Sequence, residues 1–375
     1  MPQHQHSTSR SNSRRRQMRF VARTSVLSPL STFLFLLLFL AADVSVQGSL
    51  RRPAYTEDER QAEYIKRGHK FPFPHYVPDT EGWKRLMDQR FTQVQALTDA
   101  QMKWDGWIQT ISSAVTVPNF TEYGWGLSQA PQSLTDDLRQ AVFDGLPAAR
   151  EEGEINVIGG PNRPLFIDRP DLTHRALQEL KPILEAWSGM ELIPSIAYGF
   201  RLYRNESSLW MHIDRTQTHV ISCIYHIASS DDSDPWPIVI EDYDGNTQAA
   251  VLQPGDILLY ESAKNFHGRP TVFYGSWYTS LFVHFFPKEG WSRENHDLDS
   301  HYAIPPTWAD VVPNVTFPKL EVVGTSMREP ACPFSWCNLQ ASKHVEGPGE
   351  YGTVLTTNGK KYRLNLEKNG VIDEL

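Results

Sequence analysis

Apolar residues recur at helical spacing in three stretches, roughly 81–105, 134–146 and 171–188, and the last places Leu177, Leu180, Leu184 and Trp187 on one face. From Ile196 the pattern changes to short β-branched and aromatic runs divided by turn residues, the mark of antiparallel strands. Five strands are predicted, near 196–204, 218–227, 237–242, 256–261 and 278–286. Asp244-Gly245-Asn246 and Pro254-Gly255-Asp256 supply turn chemistry between them. Helices first and strands afterwards predict an α+β chain: a jelly-roll or cupin-like barrel buttressed by N-terminal helices.

The remaining stretches lack such periodicity. Residues 51–80, rich in Pro, Arg and Glu, read as an extended linker, and after about residue 326 the chain thins into Gly, Lys and Glu. The expected organisation is a signal peptide or signal anchor over 1–48, a linker and helical segment over 49–110, a main domain over 111–325 with its β-core at about 196–286, and a C-terminal tail over 326–375. The 375 residues suffice for one sizeable core.

Charge narrows the partners. The formal net charge is −8, but the first 48 residues hold six basic residues and one acidic residue, leaving 30 basic and 43 acidic in the rest. A body that acidic has no general attraction for phosphate backbones, which argues against nucleic acid as a partner. At the N-terminus Arg10, Arg14, Arg15, Arg16, Arg19 and Arg23 precede an apolar run from Phe33 to Ala42, too short to span a bilayer comfortably. With small residues at Val46, Gly48 and Ser49 this order predicts a cleaved secretory signal, with an uncleaved anchor as the alternative; membrane contact is expected only in the second case.

The ending Ile372-Asp373-Glu374-Leu375 departs from the Lys-Asp-Glu-Leu retention signal at its first position, so the lumen of the endoplasmic reticulum is the expected compartment. Sequons at Asn119, Asn205 and Asn314 suit that compartment. Three cysteines are too few for a disulfide scaffold; Cys332 and Cys337 are close enough to close a small loop, and Cys223 sits in an apolar strand-like run as an inert thiol.

The chemistry is concentrated in His212-Ile213-Asp214 and in His267, 53 residues beyond Asp214. In extended chain, positions two apart face the same way, so His212 and Asp214 can approach one ion together. A second imidazole from a distant strand completes a facial set of two histidines and one carboxylate. That set suits iron(II) and leaves positions open for other ligands.

Around these residues the sequence resembles the prolyl 4-hydroxylase family of iron(II)- and 2-oxoglutarate-dependent oxygenases over residues 196–286. Tyr198-Gly199-Phe200-Arg201-Leu202-Tyr203 ends nine residues before His212, where that family places a Tyr on the 2-oxoglutarate carboxylate. His219–Ile227 resembles the strand after the His-x-Asp turn, Gln253–Tyr260 the turn and strand leading to the distal His, and Gly275 sits where the family has a Gly. The resemblance implies a double-stranded β-helix fold, metal ligands His212, Asp214 and His267, and Tyr203 on the cosubstrate. It implies dioxygen use, decarboxylation of 2-oxoglutarate to succinate, ascorbate as reductant, and hydroxylation of a peptide or small-molecule substrate, peptidyl proline among the candidates.

One position departs from the pattern: the Lys expected ten residues after the distal His is Trp277. Arg269 is the first choice for the replacement cation and Arg201 the second, since a guanidinium grips a carboxylate in a bidentate way; Lys264 and His284 stand behind them. Trp210, Tyr225, Trp236, Tyr260, Phe266, Trp277 and Tyr278 surround the predicted site and are expected as core packing ahead of the alternative, a substrate groove, while His219 and His226 are expected as satisfied structural residues. The reading from another class is a barrel without oxidation chemistry, serving as a binding subunit or lectin-like module; an intact ligand set argues against it.

Overall fold

The computed structural model describes residues 62, 65, 66, 75–153, 157–291, 343–346, 349–356, 359–367 and 370–374. The signal segment, Asn314, the Cys332–Cys337 pair and Leu375 lie outside the described residues. No described helix is long and apolar enough to cross a membrane.

The predicted first helix is two: α1 (Glu81–Ala96) and α2 (Ala100–Thr110), followed by the short α3 (Ser112–Thr116). Thr80 caps α1 by accepting the amide of Trp83 at 3.2 Å. The break has a local cause: Leu97 turns extended, and Asp99 restarts the chain by offering its carbonyl to the amide of Lys103 at 3.0 Å. Trp83, Leu86, Met87, Val94, Trp107 and Ile111 form a core of their own, closed by Tyr243. Two longer helices follow, α4 (Gln132–Gly145) and α5 (Pro170–Ser188). Pro170 opens α5 and Gly189, at φ 68°, ends it in the left-handed region, so sequence and structure agree at both ends.

Eight strands build the body: β5 (Leu192–Arg204), β6 (Ser208–His212), β7 (Ile221–Ser229), β8 (Ile238–Glu241), β9 (Thr247–Val251), β10 (Asp256–Tyr260), β11 (His267–Arg269) and β12 (Trp277–Pro287). They divide between two sheets, with the order β10-β7-β12-β5 in one and β9-β8-β11-β6 in the other. This is a double-stranded β-helix, or jelly roll. The expected jelly-roll architecture is present as two sheets, which share no hydrogen-bonded strand pair among the described residues. Of the eight strands, β6, β9 and β11 escape the sequence pattern: each is short, and none is a continuous β-branched or aliphatic run like the equally short β8 and β10.

Alternation sorts the faces. Ile221, Cys223, Tyr225 and Ile227 of β7 pack with α4 and α5 on the outside of the larger sheet. Ser222, Ile224 and His226 therefore face the smaller sheet. The four remaining N-terminal strands lie at the margins: β1 (Trp125–Gln129) beside β10, β2 (Arg150–Glu151) and β4 (Leu165–Ile167) beyond β5, and β3 (Ile158–Gly159) beside β6.

The segment that reads as a tail carries strands. After β13 (Lys343–Glu346), which runs parallel to β9, the chain forms β14 (Thr353–Thr356), β15 (Lys361–Leu364) and β16 (Val371–Glu374), and β14 pairs with β1. These strands extend both sheets to ten and six strands. Their short, polar runs conceal them in the sequence.

Candidate metal centre

His212 ends β6 and His267 begins β11, and the two residues are register partners across these neighbouring antiparallel strands. Directly opposed residues in such a pair project to one face, and the imidazole centroids lie 4.4 Å apart. Asp214 follows in the turn after β6, where its amide donates to the Ser262 carbonyl at 2.8 Å. His212 Nε2 lies 3.6 Å from Asp214 Oδ1, and His267 Nε2 lies 3.8 Å from Asp214 Oδ2. One ligand atom from each residue falls within 4.8 Å of the others.

The other ring nitrogens are committed. His212 Nδ1 donates to the Trp210 carbonyl at 2.6 Å, and His267 Nδ1 to the Asn265 carbonyl at 2.9 Å. A backbone acceptor fixes the proton on Nδ1 and leaves the Nε2 lone pair aimed at the centre. Burial pushes the His267 imidazole down to about 4, with His212 adding to the effect and Asp214 opposing it. Burial would raise the Asp214 carboxyl, but His267, His212 and His284 hold it well below the usual range. Two imidazole nitrogens and one carboxylate thus converge, which is the donor set of a divalent cation.

The larger sheet supplies the opposite wall. Tyr260 donates its hydroxyl to Asp214 Oδ2 at 3.2 Å, and its ring stands edge-on to His267 at 4.6 Å. His284 Nδ1 approaches the same oxygen at 3.8 Å and is engaged by Ser222 Oγ at 2.8 Å. Burial drives His284 down to about 3, so it is a neutral neighbour. His219 lies against it with ring centroids 4.0 Å apart.

Arg269 is two residues beyond His267 on β11 and 1% exposed. Its guanidinium lies 4.6 Å from the ring centres of both Trp236 and Tyr278, donates to the Tyr278 hydroxyl at 3.2 Å, and donates to the Trp236 carbonyl. No carboxylate pairs with it among the described residues. Tyr203, fully buried on β5, joins the same cluster with Trp236, Phe273 and Tyr278, and its hydroxyl makes no well-formed hydrogen bond.

Arg201 also faces inward, as strand parity predicts, but its charge is answered: Nε and Nη2 hold both oxygens of Glu152 at 2.7 and 2.8 Å. Trp277 faces away from the interior, packing on Phe143 of α4 at 5.9 Å, while its neighbour Tyr278 takes the inner position. Lys264 lies toward the helical annex and donates to the Val117 carbonyl at 2.6 Å.

The structure therefore brings His212, Asp214 and His267 together at one end, gathers Tyr203 and Arg269 at a second cluster, and leaves Arg201 in an ion pair. Sequence reasoning treated Trp236, Tyr260 and Tyr278 as packing; each touches a candidate site residue. Only the shared parity of Tyr203 and Arg201 hinted at an inward-facing set. His226 is buried as expected, stacked on Tyr278 at 4.1 Å with its Nδ1 on the Thr279 carbonyl.

No protein-family model matches the sequence, and no curated protein matches it. Solved structures similar to the chain include a prolyl 4-hydroxylase from Pseudomonas putida, at 17% identity and a TM-score of 0.31, with 44% of this chain and 94% of that chain covered. They include an oxidoreductase of the 2OG-Fe(II) oxygenase family from Burkholderia pseudomallei, at 15% identity and a TM-score of 0.35, covering 51% and 94%. A third is a prolyl hydroxylase from Trichoplax adhaerens in complex with a hypoxia inducible factor oxygen degradation domain peptide fragment, at 11% identity and 0.34, covering 55% and 91%. Likenesses this distant say nothing of activity by themselves.

Proposed function

We propose that this chain is an iron(II)- and 2-oxoglutarate-dependent oxygenase that hydroxylates a substrate carbon. The observation that carries the reading is the convergence of His212 Nε2, His267 Nε2 and the Asp214 carboxylate within 4.8 Å, each imidazole fixed by a backbone carbonyl. Iron(II) held there would supply the oxidative chemistry, with positions left open by three protein ligands for the cosubstrate and dioxygen.

The protein's own groups bind and orient. His267 and Arg269 are two residues apart on one strand, a span of about 7 Å. A five-carbon dicarboxylate fits that interval, with its keto acid end toward the histidines and its far carboxylate on Arg269. The buried guanidinium supports this, because a cation without a carboxylate partner is costly to keep and gains an anion's full charge when one arrives. Tyr203 and Tyr278 offer hydroxyls to the same carboxylate, and Trp236 keeps water from it. Tyr203 and Arg269 therefore hold the cosubstrate, and Arg201, paired to Glu152, supports β5.

Peptidyl proline is the first substrate to try, on the strength of the sequence resemblance, and a small metabolite is the second. Ascorbate as reductant and the lumen of the endoplasmic reticulum as compartment belong to the same proposal, resting on the N-terminal arginines, the apolar run and the terminal Asp-Glu-Leu. The test is succinate release from 2-oxoglutarate by the purified protein with iron(II) and ascorbate, set beside Asp214→Ala. Slow succinate formation lost in the variant is the expected result. Absence of both succinate and metal-dependent 2-oxoglutarate binding would overturn the reading.

A further inference from the structure

We propose that Tyr260 is a positioning residue for the metal centre, reaching from the larger sheet to orient ligands carried by the smaller one. This rests on the triad being a metal site and is independent of which cosubstrate that metal serves. Asp214 belongs to no strand, and its backbone is tied at the Ser262 carbonyl. A carboxylate on a turn can rotate, and the rotation decides whether one oxygen or both face the ion.

Tyr260 removes that freedom. Its hydroxyl donates to Oδ2 at 3.2 Å, which leaves Oδ1, 3.6 Å from His212 Nε2, as the oxygen presented to a cation. The same ring stands against the His267 imidazole at 4.6 Å and 65°. One side chain thus restrains two of the three ligands. Its own placement is rigid: Tyr260 is 1% exposed, and its backbone pairs with Trp125 on one side and Ser222 on the other in the middle of the ten-stranded sheet. Two imidazoles also lie 3.8 Å from Oδ2, but His284 is engaged by Ser222 and His267 keeps its proton on Nδ1 against the Asn265 carbonyl, so the phenol is the donor that fixes this oxygen.

The test uses the full chain, with Mn(II) as probe, in wild type, Tyr260→Phe and Tyr225→Phe. Tyr225→Phe is the control, since it also removes a buried hydroxyl from a central strand, one that bonds Thr135 on the helix side at 2.6 Å. Calorimetry is expected to show Mn(II) binding weakened by about 10- to 100-fold in Tyr260→Phe, the usual cost of losing an outer-sphere partner, and unchanged in Tyr225→Phe. The absorption bands of bound Co(II) should shift only in Tyr260→Phe, because a released carboxylate is free to chelate through both oxygens.

Mn(II) affinity within twofold of wild type in Tyr260→Phe, or an equal loss in Tyr225→Phe, would reduce Tyr260 to ordinary packing. A wild type that takes up no Mn(II) would overturn the metal centre and this role with it. One that binds Mn(II) normally but releases no succinate would sink the oxygenase reading alone.

Discussion

Arg201 and Arg269 occupy two regions of the same inter-sheet space, and the difference between them separates support from binding. Both are more than nine-tenths buried. Around Arg201, Glu152 supplies a bidentate carboxylate, and Tyr198, Tyr203 and Phe282 place rings within 5.9 Å of the guanidinium carbon. Burial alone would lower the pKa of Arg201, but Tyr203 and Glu152 more than reverse this, so it stays cationic. Around Arg269 the acceptors are neutral, a carbonyl and a phenol, and the rings of Trp236 and Tyr278 give partial compensation only. A region whose charge is balanced has no call for a ligand. One whose charge is left open does.

The largest contrast should appear in stability. Arg201→Leu strands the buried Glu152 carboxylate and is expected to cost about 3–5 kcal/mol, as for other broken buried pairs. Arg269→Leu strands no charge, only the Trp236 carbonyl and the Tyr278 hydroxyl, and is expected to cost less, about 1–3 kcal/mol. Equal losses in the two variants would break the comparison.

Cosubstrate binding should invert that order. In Mn(II)-loaded protein, Arg269→Leu is expected to weaken 2-oxoglutarate binding by about 100-fold or more, the scale of a lost buried charge contact. Arg201→Leu, assayed where it remains folded, should change it by a few-fold. A greater loss from Arg201→Leu would reassign the anion site.

A smaller effect is expected in the pH dependence. Burial and Arg269 together push His226 down to about 3, and burial holds His267 near 4 and His284 near 3, against an ordinary value of 6.5. The unfolded chain therefore binds more protons than the folded one from these values up to 6.5. Stability of the metal-free protein should rise with pH across that window and be lost as pH falls through it, by at most about 1.4 kcal/mol per pH unit per histidine. His226→Phe should flatten the slope, and in Arg269→Leu the NMR titration of His226 should move upward. The smallest effect belongs to exposed pairs: Lys288→Ala, losing Glu191 at 2.5 Å, should leave the midpoint within scatter.

How far the sequence reached can be argued from the same residues. Helix α5 was legible because Pro170 and Gly189 mark its ends and its apolar face repeats at helical spacing. The single helix over 81–105 was not two in the pattern, because the periodicity of α1 and α2 runs on across Leu97–Asp99; the Thr98-Asp99 pair was the available signal. The larger sheet was legible from its long apolar strands, whereas β11, three residues long, has no period to detect. At the site, two-residue spacing brought His212 and Asp214 to one side, and the family resemblance supplied His267. The fates of Arg201 and Arg269 were beyond the sequence, since Glu152 lies 49 residues from Arg201 in a stretch with no pattern. Tyr260 looked like any strand aromatic, and its value depends on which oxygen of Asp214 it meets.

The last strands carry a consequence of another kind. β13 lies along β9 at the margin of the smaller sheet, and β14 lies along β1 in the larger one, joined through Gly349, whose amide donates to Asp256 Oδ1. The C-terminal segment is thus a strap that covers an open strand on each sheet. Cutting the chain before Lys343 would expose two rows of unpaired backbone groups at once, each a template for another chain. Such a truncation should betray itself as self-association at rising concentration well before it shows as lost activity.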